Sequence, residues 1–318
     1  MNKTMEQPVF IMMCGLPGSG KSMQTQKLAS EYEAVICSFD AIRKDVTGSE
    51  ENQEQDNEVF QILRQRVREA LINKQNVIYD ACNIRYKKRM GFLNELRRYD
   101  CYKICCFVWK SFDDCVRDNN GRERVVPASA IRRMYKNFYI PQYFEGWDDI
   151  IIAYHEPAKK EHVDYTSQIT ELFLGENGLC MLEHDNPHHT LTVGNHCIAC
   201  YMNTLESDIQ DSRLSIAALL HDIGKAFTKQ HKDSRGNPCE HAHYYQHELV
   251  SAYNAVPYLQ DFSTEDLLHI VALITFHMRP YAWEQENNEK LRKKYQRLWG
   301  EELFNQIIKL HDADRKAH

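Results

Sequence analysis

The sequence is short of the features that mark membrane, secreted and fibrous chains. Its only early apolar run, residues 9–14, falls far below the roughly 20 apolar residues of a spanning helix. No basic segment precedes that run and no small-residue cleavage site follows it. No signal peptide is therefore read, and a cytoplasmic location away from membrane is expected. Glycine (13) and proline (9) are sparse in 318 residues, which excludes collagen-like and Pro/Gly-rich disordered classes. There is no internal repeat, and only residues 49–57 form a noticeably polar stretch. Cysteine is not scarce, but eleven is an odd number without regular spacing, so reduced thiols are expected rather than a disulfide framework. The one CxxC, Cys197-Ile198-Ala199-Cys200, sits in an apolar helical pattern with no second pair, which favours packing over zinc or redox chemistry.

What is present is a globular composition, 43% apolar and 26% charged, long enough for two domains. The charge is unevenly split. Residues 1–160 carry a formal +3 and residues 161–318 a formal −9. The basic surplus gathers at Arg64/Arg66/Arg68, at Arg85–Arg89 with Arg97-Arg98, and between Arg117 and Arg133. Any one stripe reads as a solvated helix face; together, beside a phosphate-binding loop, they permit a polyanionic substrate.

Apolar periodicity divides the chain the same way. Strand-like runs at 9–14, 34–39, 76–82, 101–109 and 149–154 alternate with helical stretches at 53–73, 85–99 and 112–119. Such alternation predicts an α/β domain, a parallel sheet with helices on both faces. Beyond about residue 190 the apolar residues recur at helical spacing through 191–202, 214–220, 248–259, 264–276 and 303–318. No strand run is evident there, so the second half is expected to be all-α. The expected organisation is a first domain at 1–157, a linker at 158–177 and a second domain at 178–318.

Gly15-Leu16-Pro17-Gly18-Ser19-Gly20-Lys21-Ser22 matches the phosphate-binding G-x-x-x-x-G-K-[ST] pattern and lies between a strand and a helix, as the motif requires. Its glycines let backbone N–H groups of Gly15, Gly18, Ser19 and Gly20 converge on an anion at a helix N-terminus. Lys21 is expected to reach the β- and γ-phosphates of ATP and Ser22 to hold Mg²⁺. Asp40, in Ser38-Phe39-Asp40-Ala41-Ile42-Arg43, falls at the carboxyl end of the second strand, where ligands bind in open α/β sheets. It suits a base that accepts a hydroxyl proton, with Arg43 on an acceptor phosphate; the competing reading is a cap of the next helix.

The second half carries His221-Asp222-Ile223-Gly224-Lys225 after an Ala/Leu-rich helix, with His196 upstream and Asp314 in the last helix. Imidazole mixed with carboxylate suits Mn, Fe, Co, Ni, Zn or Mg and leaves positions open for water and phosphate. Lys225 reads either as a phosphate ligand or as a surface lysine at a helix end. His188, His189 and His241 are nearby candidates for substrate contact, and Asp312 competes with Asp314 as last ligand.

Together with Asp80-Ala81-Cys82-Asn83 and Arg117…Arg122…Pro127…Arg132-Arg133, the loop and Asp40-x-x-Arg43 resemble polynucleotide 5′-kinases of the end-healing type over about residues 9–153. That resemblance implies Asp40 as general base, Arg43 as acceptor-phosphate ligand, and Arg117 and Arg122 as lid arginines, with Arg124 competing for the lid role. Asp80 and Asn83 either position the site or cap the next helix. The histidine–aspartate set resembles the HD phosphohydrolase superfamily over about residues 184–318, in which His247 and His277 match histidines that bind a second metal. The pair of modules is similar to bacterial RNA-repair fusions with the module order reversed. It implies a cytoplasmic, bifunctional enzyme using ATP, Mg²⁺ and one or two divalent metals. Such an enzyme phosphorylates a nucleic-acid 5′-OH, removes a 3′-end (2′,3′-cyclic, 2′- or 3′-) phosphate, with RNA favoured, and precedes a ligase. The alternative is a nucleotide-metabolism or signalling protein, with an HD nucleotide phosphohydrolase beside a small-molecule kinase or nucleotide-gated P-loop domain.

Overall fold

Val9–Cys14 is buried at every position, the pattern of a strand covered on both faces. The structure, a computed structural model, describes residues 7–49, 55–154, 165–185, 190–206, 211–285 and 288–317. These fall into two units. One comprises the described residues of 1–135 and 141–158, and the other those of 136–140 and 159–318.

The first unit runs β1 (Val9–Cys14), α1 (Lys21–Tyr32), β2 (Val35–Ser38), α2 (Phe39–Thr47), α3 (Asp56–Ile72), β3 (Val77–Asp80), α4 (Tyr86–Leu96), β4 (Tyr102–Trp109), α5 (Phe112–Asn120), α6 (Ala128–Tyr135) and β5 (Asp149–Tyr154). Its five strands are parallel in the order β2-β3-β1-β4-β5, with Ile11 between Ile78 and Ile104. Apolar side chains of β1, β3 and β4 form a core with Leu28 of α1. The α3 helix contributes Val59, Leu63, Val67 and Leu71, one buried stripe at helical spacing. Strand order reverses around β1, so the loop after β1 opens at the switch point of the sheet.

Beneath that loop lies a fully buried ion pair. Arg89 of α4 donates twice to Glu145, at 2.7 and 2.6 Å, and once to the Asn83 carbonyl at 2.8 Å. Glu145 also accepts from the Trp147 indole at 3.1 Å. A buried charge pair is tolerated when its remaining donors and acceptors are met in this way. The pair removes Arg89 from the basic surface stripe expected at 85–89. Arg64 and Arg68 pair with Glu95 at 3.0 and 3.5 Å, which thins a second stripe.

The second unit runs α7 (Tyr165–Leu174), α8 (Val193–Leu205), α9 (Ser212–Leu220), α10 (Lys225–Thr228), β6 (Gln230–Lys232), β7 (Pro238–His243), α11 (His247–Ala255), α12 (Thr264–Phe276), α13 (Arg279–Gln285), α14 (Glu289–Trp299) and α15 (Glu301–Lys316). The α12 helix is buried from Leu267 to Phe276 but for His269, as expected of a central helix that is apolar all round. The unit is helical with one addition that the sequence reading lacks: β6 and β7 form an antiparallel hairpin. Its strands are three and six residues long, mostly exposed and rich in His, Lys and Glu, so no apolar alternation signals them. Two further differences concern organisation. Residues 158–177, expected as linker, include α7, with Phe173 buried. Lys136–Ile140 groups with the second unit, where Phe138 meets Tyr253 edge-on at 5.1 Å and Arg279 donates to the Tyr139 hydroxyl at 3.2 Å.

Candidate active sites

In the first unit the loop after β1 is shaped by close approach. Gly18 has φ +82°, and a Cβ there would lie 2.1 Å from the Cys115 carbonyl oxygen, so only glycine fits. Gly20, also at positive φ, caps α1, placing Lys21 and Ser22 in the first turn, where free N–H groups point into the loop. Gly15 N–H donates to Cys82 O at 3.1 Å, and the Asn83 amide donates to Met13 O at 2.8 Å. Asn83 thus ties the end of β3 to the end of β1, while the N-cap of α4 is Arg85. Lys21 folds its ammonium onto the Leu16 carbonyl at 2.7 Å, and Ser19 Oγ is buried without a hydrogen bond.

Asp40 stands in the first turn of α2, whose N-cap is Ser38. Its carboxylate instead accepts from Arg43 at 3.1 Å and Arg124 at 2.7 Å. Arg43 is buried; its guanidinium lies 4.5 Å over the Phe39 ring and also donates to Asp56 at 2.9 Å. Burial raises the Asp80 carboxyl above its ordinary range, against Lys21, with Asp40 adding to the rise and Arg122 opposing it. The structure therefore gathers Lys21, Asp40, Arg43 and Asp80, brings in Arg124, and leaves Arg122 exposed within the electrostatic reach of Asp80. It does not bring Arg117 to Asp40: Arg117 is exposed and pairs with Asp114 and Asp118 on its own helix. Asp118 also holds Lys110, whose ammonium lies 3.5 Å from the Gly18 carbonyl.

In the second unit the expected ligands come from five elements and meet. His196 lies in the first turn of α8, His221 and Asp222 follow α9, His247 begins α11, His277 ends α12, and Asp314 is on α15. Each imidazole is held from behind, Nδ1 donating to a main-chain carbonyl: His196 to Ala317 at 2.6 Å, His221 to Ala218 at 2.7 Å, His247 to Tyr244 at 2.9 Å and His277 to Ile274 at 2.7 Å. Every Nε2 is thereby left to face the centre, the arrangement that orients histidine as a metal ligand. Two groups of three have donor atoms close enough to hold an ion, His196/His221/Asp222 and Asp222/His247/His277, and Asp222 belongs to both. Asp314 joins the first, 2.9 Å from His196 Nε2 and 3.6 Å from His221 Nε2. Asp312 is exposed, so of the two candidates Asp314 is the one at the centre.

Charge balance tests whether a cation fits. Burial disfavours the charged form of both aspartates, yet the Lys225 ammonium and the His221 imidazole hold Asp222 well below the carboxylate range, and His196 and His221 do the same for Asp314. Burial likewise disfavours charge on His221, but Asp222 and Asp314 outweigh it and raise its pKa to about 10. Burial, then the charges of His221 and His247, push His277 down to about 3. His221 Nε2 and Asp222 Oδ1 are buried without a well-formed hydrogen bond. Four inward imidazoles and two carboxylates, with His221 Nε2 and Asp222 Oδ1 left without a hydrogen bond, make a donor set that suits a divalent metal.

A cavity of about 370 Å³ opens on this centre, lined by Asp222, Lys225, His247, His277 and Asp314 with Tyr244, Tyr245 and Tyr281. Lys225 is buried, 5% exposed, and pairs with Asp222 at 2.6 Å, so it is not the surface lysine of the alternative reading. Gly224 has no room for a side chain, because a Cβ would lie 2.4 Å from His247 O and 2.5 Å from Ser251 N. The motif's glycine is what lets α11 approach. His241 is exposed on β7 and does not line the cavity, whereas His188 and His189 lie outside the described residues. His184, which sequence reasoning passed over, is buried against Lys225 at 3.1 Å. Burial, then the Lys225 charge, lower its pKa to about 4. A lone histidine in Glu183-His184-Asp185 carries no spacing signal. Cys197 and Cys200 are buried free thiols pushed up by burial and belong to neither ligand group.

Residues 10–141 match the family model described as AAA domain, and residues 188–317 match the HD domain model. The chain carries a kinase-like P-loop domain followed by an HD domain. It is similar to a chain of the Pnkp1/Rnl/Hen1 RNA repair complex (20% identity, TM-score 0.36), covering 42% of this chain and 44% of that one, less than half its length. It is also similar to a putative kinase from Chloroflexus aurantiacus j-10-fl (19%, TM-score 0.41, 52% and 94% covered). A gluconokinase from Sinorhizobium meliloti 1021 matches at 17% and TM-score 0.35, with 48% and 86% covered. No curated protein matches the chain. Among the described residues, no helix is long and apolar enough to cross a membrane.

Proposed function

We propose that the chain is a bifunctional nucleic-acid end-healing enzyme, with a polynucleotide 5′-hydroxyl kinase in the first unit and an HD phosphoesterase in the second. The observation that carries the reading is that each domain gathers its own phosphate-handling constellation. One is a P-loop with an arginine-gripped aspartate nearby; the other is a shared-aspartate histidine cluster opening on a cavity.

In the kinase, backbone N–H groups of Gly18, Gly20 and the first turn of α1 cradle the phosphates of ATP, whereas those of Gly15 and Ser19 are taken by Cys82 O and Leu16 O; Lys21 turns from Leu16 O to the β- and γ-phosphates, and Ser22 is the hydroxyl for Mg²⁺. Asp40 takes the proton of the attacking 5′-hydroxyl. Arg43, pinned between Asp40 and Asp56, orients that base. Arg124, and Arg122 in the field of Asp80, face the transferring phosphoryl group in preference to Arg117. Arginine is suited to an acceptor phosphate by its planar fork.

In the phosphoesterase, His196, His221, Asp222 and Asp314 would hold one divalent ion, and Asp222, His247 and His277 a second. Bound metal supplies Lewis-acid stabilisation of charge developing on the phosphate. Lys225 sits at the wall of the cavity to take a phosphate oxygen, and the tyrosines flank the rest of the substrate. RNA with a 5′-OH and a 3′-end phosphate is the proposed substrate, with a ligase acting afterwards. A nucleotide phosphohydrolase is the second reading, favoured by the −9 charge of residues 161–318, which a long polyanion would avoid.

The test offers ATP and metal with three acceptors in competition: a 5′-OH oligoribonucleotide, a mononucleotide and a sugar. Transfer to the oligonucleotide, abolished in Asp40→Ala with ATP binding retained, is the expected result. Transfer to the small acceptors alone would refute the end-healing reading.

A further inference from the structure

We infer that His184 is a positioning residue that sets the Lys225 ammonium for the substrate phosphate; this rests on the HD hydrolase reading above. His184 lies ahead of α8, outside the His-Asp motif, and is 1% exposed. Its Nε2 is 3.1 Å from Lys225 Nζ. An ammonium has only donors, so His184 Nε2 accepts, and the ring proton must sit on Nδ1. Nδ1 in turn donates to Leu191 O at 2.7 Å. Both ends of the ring therefore specify one neutral tautomer.

Tyr244 braces the pair twice. Its hydroxyl donates to the His184 carbonyl, and the Lys225 ammonium stands 5.5 Å from the centroid of its ring. The His184 ring also meets the His196 ring edge-on at 5.7 Å. A side chain so enclosed does not reach the cavity, and it is absent from the cavity wall. Lys225 is on that wall. Its ammonium has three donors, of which one meets Asp222 at 2.6 Å and one meets His184, leaving one for a ligand.

The need for such an anchor follows from charge. Lysine has a flexible four-carbon stem, and the nearest opposite charge is Asp222, which both ligand groups share. An unanchored Lys225 would collapse fully onto that carboxylate, withdrawing a donor from the phosphate and a ligand from the metal. His184 offers a neutral second acceptor that competes for the ammonium without adding charge. It acts on substrate through Lys225 alone.

Three measurements on the metal-replete full chain test this: affinity for inorganic phosphate by calorimetry, KM and kcat of the phosphoesterase, and bound metal by elemental analysis. His184→Ala is expected to weaken phosphate binding and raise KM about 10-fold, with a smaller effect on kcat and unchanged metal content. His184→Gln, which keeps an acceptor, should recover most of the loss. In a Lys225→Ala background His184→Ala should have no further effect, because the partner is already gone. Unchanged phosphate affinity, additivity with Lys225→Ala, or loss of metal would each overturn the inference. If His184→Ala does not fold, His184→Gln decides it: near-wild-type affinity with Lys225 present supports the role, and a 10-fold loss contradicts it. His221→Ala separates the two levels. If that variant keeps phosphoesterase activity, the hydrolase reading itself fails. If it loses activity while His184→Ala behaves as wild type, only the role of His184 fails.

Discussion

The two phosphate sites are built in opposite ways. The P-loop site is made largely of main chain from one stretch, Gly15–Ser22, with glycines admitted where Cys115 O and Val108 O come close. The HD site is made of side chains from five elements, each imidazole held by a carbonyl from a different part of the helical unit. A main-chain site depends on local backbone geometry and tolerates change at a distance. A side-chain site inherits its geometry from the packing of a whole domain, so its failures should be more widespread.

The largest effects should fall on chemistry and should not cross between domains. Asp222→Ala removes a carboxylate shared by both ligand groups, so phosphoesterase activity should drop by roughly 1000-fold or more. Kinase activity should stay near wild type. Lys21→Ala should do the converse. Initial rates of both reactions on the same preparation give the comparison, and joint loss would point to misfolding. Next in size is the buried pair beneath the P-loop. Arg89→Ala leaves Glu145 charged and unpaired and should destabilise the kinase domain by roughly 3–5 kcal/mol in denaturant unfolding. Gly224→Ala should cost the HD domain about 1–3 kcal/mol and lower its metal content, since a Cβ there forces α11 and His247 away.

A smaller effect, confined to the helical unit, depends on pH. Asp211 caps α9 and accepts from Arg213 and Gln306; the Arg213 hydrogen bond leads in lowering its pKa to about 2. A carboxyl lower in the folded than the unfolded chain stabilises fully above its unfolded pKa of about 3.9 and loses that contribution as pH falls through 2. Asp211→Ala should therefore cost the HD domain roughly 1 kcal/mol at neutral pH, and the difference from wild type should shrink as pH falls below about 4.

The same contrast explains what was legible in the sequence. The P-loop could be read because its chemistry is contiguous and its glycines are sterically required. The sheet was readable because buried parallel strands leave unbroken apolar runs such as Val9–Cys14. In the HD domain only the adjacent His221-Asp222 pair announces itself; His196, His247, His277 and Asp314 became readable through their resemblance to a known set. Between Asp312 and Asp314, the structure buries Asp314 beside His196 and leaves Asp312 exposed. His184 was invisible because its partners are a carbonyl and a lysine far along the chain, with no spacing to betray them. Arg124 was indistinguishable from Arg117 and Arg122 until the fold showed that Arg117 turns to Asp114 and Asp118. The β6–β7 hairpin escaped because short exposed strands need no apolar alternation.

In the proposed function, two sites heal the two ends of a broken strand. One RNA labelled in its backbone, bearing a 5′-OH and a 3′-end phosphate, is incubated with ATP, Mg²⁺ and Mn²⁺ and wild-type, Asp40→Ala or Asp222→Ala protein, and both ends are mapped. Both ends should be converted by wild type, only the 3′ end by Asp40→Ala, and only the 5′ end by Asp222→Ala. An RNA left unchanged at both ends by active wild-type protein that still turns over mononucleotides would contradict the proposed function.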